Sequence, residues 1–455
     1  MCSIAATVFQ TPTPERVECL ERVRIDVGDD GYVQAMSPAD GPVDIDLGDE
    51  AVLLPGLVDT HVHAPQWPQL GTGLDLPLEQ WLQEYMFPLE RKATDPAFAQ
   101  LVWDDLVAIL LAHGTTTAAY FATIDVETTT TLARTCATAG QRAFVGRVAM
   151  DHPEATPQWY RDADAVAGIE ASAYSIEQII GLDSDLVSPI ITPRFTPACT
   201  DSLFAGLGEL AETTGVRVQT HCSESDWQHQ HARDRYGRSD TAALDSFGLV
   251  RAHTVLAHGD HLDSADLDSI AGAGAGVAHC PLSNAYFANA VFPARRAMSA
   301  GVAVGLGSDI AGGSSPGLLA QCAHAVAASR YLGDGVDATI GPGSRGVPGS
   351  RISIAHAFHM ATFGGARLLG IDAGLLGPGR PFDAVAVAVD RPGSPLGRWN
   401  DVDDHDRLFE KVVRLAGADD ITDVWVAGRR VAGTRPGGDA DIERSRRGTA
   451  AAGVD

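Results

Sequence analysis

Through the middle of the chain, short and almost purely apolar runs alternate with longer stretches of helical periodicity. The run ending at His61–His63 and the runs Gly114–Tyr120, Arg142–Met150, Ser188–Pro193, Val216–His221, Thr254–His258, Gly276–Cys280 and Val302–Asp309 each read as a buried strand. A helix-compatible segment follows each of them, which is the grammar of a parallel sheet. About eight such units favour a closed (β/α)8, TIM-like barrel of the α/β class over an open doubly wound sheet. No Gly-x-Gly-x-x-Gly sits on a strand-to-helix turn, which argues against dinucleotide binding.

The two ends of the chain follow a different pattern. Arg22–Val27 and Gly31–Met36, set among Asp-Gly turns, predict strands near the N-terminus, and Phe382–Val389 and Val424–Val431 repeat the pattern near the C-terminus. This predicts a small β-sandwich domain built from both chain ends, residues 1–54 and 370–433, beside a barrel over 55–369. The Gly-, Ala- and Arg-rich stretch 434–455 predicts a flexible tail.

Composition narrows the partners. With 33 basic against 59 acidic residues the net charge is -26, which opposes nucleic acid and anionic membrane surfaces but not a small neutral ligand. No run of eighteen apolar residues suggests a membrane span, and Met1–Ala6 lacks the features of a signal peptide, so a cytoplasmic enzyme is expected. Seven cysteines without a Cys-x-x-Cys pair predict reduced thiols.

The chemistry gathers at the predicted strand ends. Residues two apart in a strand share a face, so His61 and His63 can converge on one metal ion. On a barrel the C-terminal strand ends form the active face, and there His221, His258 and Asp309 join the pair. Singly, each of these three reads as a helix cap or a satisfied buried imidazole. Together, in this order on one face, they point to a site. Three imidazoles and a carboxylate leave a divalent ion room for a water, whose pKa the ion would lower to about 7. Zn2+ is the expected ion, one per chain, and Fe2+ would accept the same ligands. Glu224, three residues past His221, can lean over that ion and shuttle protons.

Several stretches carry a resemblance to a known family. Pro55–His63 is similar to the first-strand signature of the amidohydrolase superfamily. His63-Ala-Pro-Gln66, Leu76–Leu82, Phe87–Glu90, Gly114–Ala118, Tyr120–Thr123, Gly140–Gly146, Thr192–Phe195, His258-Gly, Ala278–Asn284 and Gly305–Gly313 resemble the guanine deaminases within it, over about residues 50–430. The resemblance implies hydrolysis of guanine to xanthine and ammonia, and a homodimer. It places the metal on His61, His63, His221 and Asp309. It gives Glu224, His258 and Asp309 catalytic parts, and Gln66, Arg194 and Phe195 the purine. Departures at Asp125, Leu282, Trp227 and His229 bear on substrate breadth. A pterin, 8-oxoguanine or an s-triazine as substrate is the first alternative, and a non-catalytic assembly protein on the same scaffold is the second.

Overall fold

The computed structural model describes residues 2–397, 399 and 402–434. The expected tail lies outside them, apart from Thr434. The architecture is α/β, with an eight-stranded parallel sheet, an eight-stranded mixed sheet and a short parallel pair of Val148–Ala149 with Thr192–Pro193.

The parallel sheet holds eight strands. In spatial order they are Val187–Pro189, Arg142–Gly146, Thr115–Phe121, Leu57–His63, Ala303–Leu306, Gly276–His279, Val255–His258 and Gln219–Cys222. Each lies inside or overlaps one of the eight predicted runs. The two ends of this order meet. Ile191 and Val218 form a parallel bridge, with Ile191 N donating to Arg217 O at 2.8 Å and Gln219 N to Ile191 O at 2.9 Å. The chain just past Val187–Pro189 thus pairs with the chain that leads into Gln219–Cys222. The strands are buried on both faces, which is why they read as continuous apolar runs rather than alternating ones.

The mixed sheet draws on both chain ends, in the order Arg429–Ala432, Ile421–Val426, Ala384–Ala388, Ala51–Pro55, Cys2–Thr13, Arg16–Val27 and Val33–Pro38, with Ile45–Asp46 beside Cys2–Thr13. Its side chains alternate between two apolar surroundings. Val52, Leu54, Val385 and Val387 face the main core, whereas Ala51, Leu53, Ala384 and Ala386 pack with Ile4, Val8, Ile25, Phe382 and Trp425. A fully buried Val or Leu contributes about 1.5–3 kcal/mol, so these short strands are held by packing on both sides. The terminal strands are longer than their sequence suggests: Cys2–Thr13 and Arg16–Val27 are each 12 residues. The run Val424–Val431 contains a turn at Ala427 and Gly428, both at positive φ (46° and 75°).

Gly56 joins the sheets. Residues 51–55 pair in the mixed sheet and 57–63 in the parallel one. A Cβ at Gly56 would lie 2.1 Å from Thr116 Oγ1, so only glycine lets the chain cross from one sheet to the other against its neighbour. The crossing delivers His61 and His63 to the end of the first parallel strand.

Candidate active site

Four parallel strands carry their chemistry to one end of the sheet. His61 and His63 close the first, and His221 and His258 lie on Gln219–Cys222 and Val255–His258. Asp309 follows Ala303–Leu306 by three residues. The first and last of these strand ends are laced together. Asp309 N donates to His61 O at 2.9 Å, His63 N to Ile310 O at 3.1 Å, and Asp59 Oδ1 accepts from Ser308 N at 2.9 Å and His61 N at 3.2 Å. Ser223, His258 and Asp309 hold φ of 49°, 74° and 48°. Left-handed backbone at three non-glycine residues costs energy and gathers where function over-determines the structure.

The side chains converge. His61 Nε2 lies 3.2 Å from Asp309 Oδ1, and His63 Nε2 lies 3.7 Å from the same oxygen and 3.0 Å from His221 Nε2. Ligand atoms of His61, His221 and His258 fall within 4.8 Å of one another, as do those of Glu224, His258 and Asp309. His258 thus stands inside the cluster, closer than a ligand set of His61, His63, His221 and Asp309 alone requires. Cys280 also approaches His61 and Asp309. Burial pushes its thiol well up, so the sulfur stays protonated and is a poor ligand.

This donor set fits a divalent cation. His61 is fully buried, yet its Nδ1 has no hydrogen-bond partner and its Nε2 meets only the Asp309 carboxylate. His221 Nδ1 faces the Arg194 carbonyl at 2.6 Å, and a carbonyl only accepts, so the ring proton sits on Nδ1 and Nε2 turns its lone pair to the cluster. Burial lowers the pKa of His61, and of His63 and His221 well below the ordinary value, which keeps all three neutral and able to ligate. Burial alone would raise Asp309, but His61, His258 and His63 outweigh it and hold the carboxylate well below its usual range.

Glu224 and His258 form a second layer of chemistry. Glu224 lies on the loop before helix Asp226–Tyr236, ahead of the N-cap Ser225, so it is not a first-turn helix residue. Burial pushes its carboxyl up to about 7, against the pull of His258. His258 Nε2 lies 3.6 Å from Glu224 Oε1 and 3.9 Å from Asp309 Oδ2. Burial lowers the pKa of His258, but Glu224, Asp309 and Asp260 raise it by more. Asn284 Nδ2 donates to Asp260 Oδ1 at 2.8 Å, so its Oδ1 is the atom that accepts from His258 Nδ1 at 2.9 Å. Asn284 and Asp260 therefore orient the imidazole.

Beside the cluster is a pocket lined by His63, Gln66, Arg194, Phe195, His221, Glu224 and Asp309. All nine residues expected from sequence thus belong to one locality. The pocket also uses Leu78, Trp81, Leu82, Ser283 and Phe287, which sequence reasoning did not single out. The buried Trp81 Nε1 and Ser283 Oγ have no hydrogen-bond partner. A further unforeseen residue is Glu90, which pairs with Arg194 through both carboxylate oxygens at 2.6 and 2.8 Å. Its position within Phe87–Glu90, a stretch that carries the family resemblance, was the available signal.

The departures have local explanations. Asp125 caps helix Val126–Ala139 by accepting from Thr128 N at 2.8 Å. Trp227 stands edge-on to Phe195, with ring centroids 5.7 Å apart. His229 accepts from Arg233 Nε at 2.8 Å and stacks on His261. Leu282 lies half-buried on the helix Pro281–Phe287.

Comparison with known proteins agrees with this geometry. The chain matches the amidohydrolase family over residues 52–431. A probable guanine deaminase of Schizosaccharomyces pombe is 34% identical over 387 residues, covering 84% of this chain and 71% of that protein. The guanine deaminase of Homo sapiens is 32% identical over 393 residues, covering 85% and 84%. The crystal structure of guanine deaminase from C. acetobutylicum, with guanine bound in its active site, is similar at a TM-score of 0.84 and 28% identity, covering 95% of this chain and 100% of that one. The match takes in every strand of the parallel sheet and the cluster at its end, and the chain belongs to the amidohydrolase family.

Proposed function

We propose that this protein is a hydrolase that deaminates guanine to xanthine and ammonia. One observation carries the reading: a single pocket borders both the imidazole–carboxylate cluster and the Gln66–Arg194 pair, so reaction and recognition share one cavity. The relatives named guanine deaminases support it. The same reading takes the parallel sheet as a closed (β/α)8 barrel over 55–369, with a small β-sandwich domain from 1–54 and 370–433. It takes the working unit as a homodimer.

The metal would be held by His61, His63, His221 and Asp309, with Zn2+ as the ion. A bound divalent cation supplies a water acidic enough to act near pH 7. The protein's own groups do the rest. Glu224 takes the first proton of the attacking water and delivers it to ring N3 as the water oxygen bonds to C2, making C2 tetrahedral. Asp309 takes the water's remaining proton, and that proton passes to the departing amine as the C2–N bond breaks. His258 steadies the negative charge that develops on the attacking oxygen, and Asn284 and Asp260 hold its ring for that task.

Recognition falls to the pocket wall. Arg194 donates toward O6, Gln66 meets the ring edge and Phe195 covers the ring face. The unpartnered N–H of Trp81 and hydroxyl of Ser283 remain for the substrate, since a buried polar group left unpaired costs about 1–3 kcal/mol. The test is chromatographic. Metal-loaded protein given guanine should form xanthine, lose that activity on chelation and recover it with Zn2+. Protein that binds no metal and gives no xanthine after Zn2+ is added would support a non-catalytic scaffold.

A further inference from the structure

Glu90 lies on the short helix Phe87–Lys92, buried at 1% exposure, and its carboxylate gathers three donors. Arg194 Nη1 donates to Oε2 at 2.6 Å, Arg194 Nη2 to Oε1 at 2.8 Å, and Gln66 Nε2 to Oε1 at 2.8 Å. Gln66 Oε1 accepts in turn from Ala311 N at 3.1 Å. One carboxylate therefore ties together the turn after the first parallel strand, the residue following Thr192–Pro193 and the segment after Asp309.

The inventory of donors shows what this fixes. A guanidinium has five N–H groups. Glu90 occupies one on each terminal nitrogen and so sets the plane of the fork, while the Phe87 ring lies 4.9 Å from its central carbon. The Nε–H and the outer hydrogens are left. The Gln66 amide has its orientation decided from both ends: its NH2 faces Glu90 and its oxygen faces a backbone N–H. A buried pair that only stabilised the wall would need one partner. Glu90 instead holds two polar side chains that both line the pocket.

We infer that Glu90 is a positioning residue that makes the pocket prefer an oxo group over an amino group at C6, the ring carbon across N1 from the C2 that bears the reacting amine. This rests on the guanine reading above. Fixed donors on Arg194 and Gln66 meet an oxo acceptor and oppose an amino donor. Only an ionised carboxylate, which accepts on both oxygens, satisfies all three donors. An amide at position 90 sets one N–H against a donor whichever way it turns, and so frees Arg194 or Gln66 to reorient.

The experiment measures kcat and KM of metal-loaded Glu90→Gln and Glu90→Asp with guanine and with 2,6-diaminopurine, which differ in the group at position 6 and in the hydrogen that the oxo form carries on N1. The expected result for Glu90→Gln is a rise in KM for guanine of about 10–100-fold, with kcat changed less than about fivefold. The guanine-to-diaminopurine ratio of kcat/KM should fall at least about tenfold. Glu90→Asp keeps the charge, shortens the reach and should move both quantities the same way by less. A fall in kcat with KM and the ratio unchanged would reduce Glu90 to a framework part and overturn the inference. Failure of both variants to fold would do the same. If the unmodified protein turns over a pterin and not guanine, the guanine reading fails by itself. The oxo-to-amino ratio is then read on 2-amino-4-oxo and 2,4-diamino pterins, with the same criteria.

Discussion

Glu224 Oε1 stands 3.6 Å from His258 Nε2, so the loop leaving one parallel strand faces the imidazole that ends its neighbour. At that distance the contact is electrostatic rather than a hydrogen bond, and neither group is tied up by the other. Each is left able to exchange a proton with a substrate.

Replacing Glu224 by Gln keeps the shape and removes the exchangeable proton. The variant should keep its metal and bind guanine with a Kd within a few fold of the original. Turnover should fall by roughly 10²–10⁴. Calorimetric binding together with steady-state ammonia release checks this, and a nearly normal rate would take Glu224 out of the mechanism.

Asn284 acts one step further back. With Leu in its place, His258 Nδ1 loses its acceptor and Asp260 its donor. A loss in kcat of about 10–100-fold is expected, the usual cost of removing the group that orients a working imidazole. Because Asn284 is not among the residues lining the pocket, KM for guanine should change little. Equal losses in kcat and in guanine affinity would point to a collapsed pocket instead.

Asp240 gives a pH signature away from the cluster. It accepts from Ser223 N at 2.8 Å, Gln228 Nε2 at 2.7 Å and Thr196 Oγ1, yet burial pushes its carboxyl up to about 6. A folded pKa above the unfolded one means that the native state holds the proton more tightly. The resulting stability is fully present below about pH 4 and is lost as pH rises through about 6. A shift of about two units amounts to roughly 3 kcal/mol. In urea melts, the stability advantage of the original protein over Asp240→Asn should shrink by about that much between pH 4 and 7. A difference that stays flat over this range would contradict the assignment.

Gly56 carries the link between the sheets. Gly56→Ala would place a methyl group 2.1 Å from Thr116 Oγ1 and 2.6 Å from its Cγ2. Destabilisation of about 1–3 kcal/mol is expected, as for other overpacked sites. Thr116→Ala in the same chain should recover part of it, and additive losses in the double variant would show that the two residues do not clash.

The parallel strands were legible in sequence because burial on both faces leaves an apolar run with a polar residue at its end. His221 and His258 were found by that rule alone. The 12-residue strands at the N-terminus were legible only in part, as Arg22–Val27: Arg16–Val27 mixes charged and apolar residues on half-exposed faces, and Cys2–Thr13 is a largely buried run without regular alternation. Arg142–Met150 read as one strand but divides at Arg147, whose buried side chain pairs with Asp162. No local rule brings a helix turn at residue 90 against a strand end at 194. Glu90 was hidden for that reason, although Arg194 and Gln66, its two partners, were both named. Asn284 ends the stretch Ala278–Asn284 that carries the resemblance, but its role was hidden likewise, because that role comes from His258, 26 positions away.

In the proposed function one pocket joins a metal site to a reader of guanine. Steady-state ammonia release by metal-replete protein, measured in parallel with guanine, pterins and s-triazines, tests it most directly. Guanine should give the highest kcat/KM, with xanthine as the product. Fast release from a pterin or a triazine with none from guanine would contradict the claim while leaving the hydrolytic cluster in place.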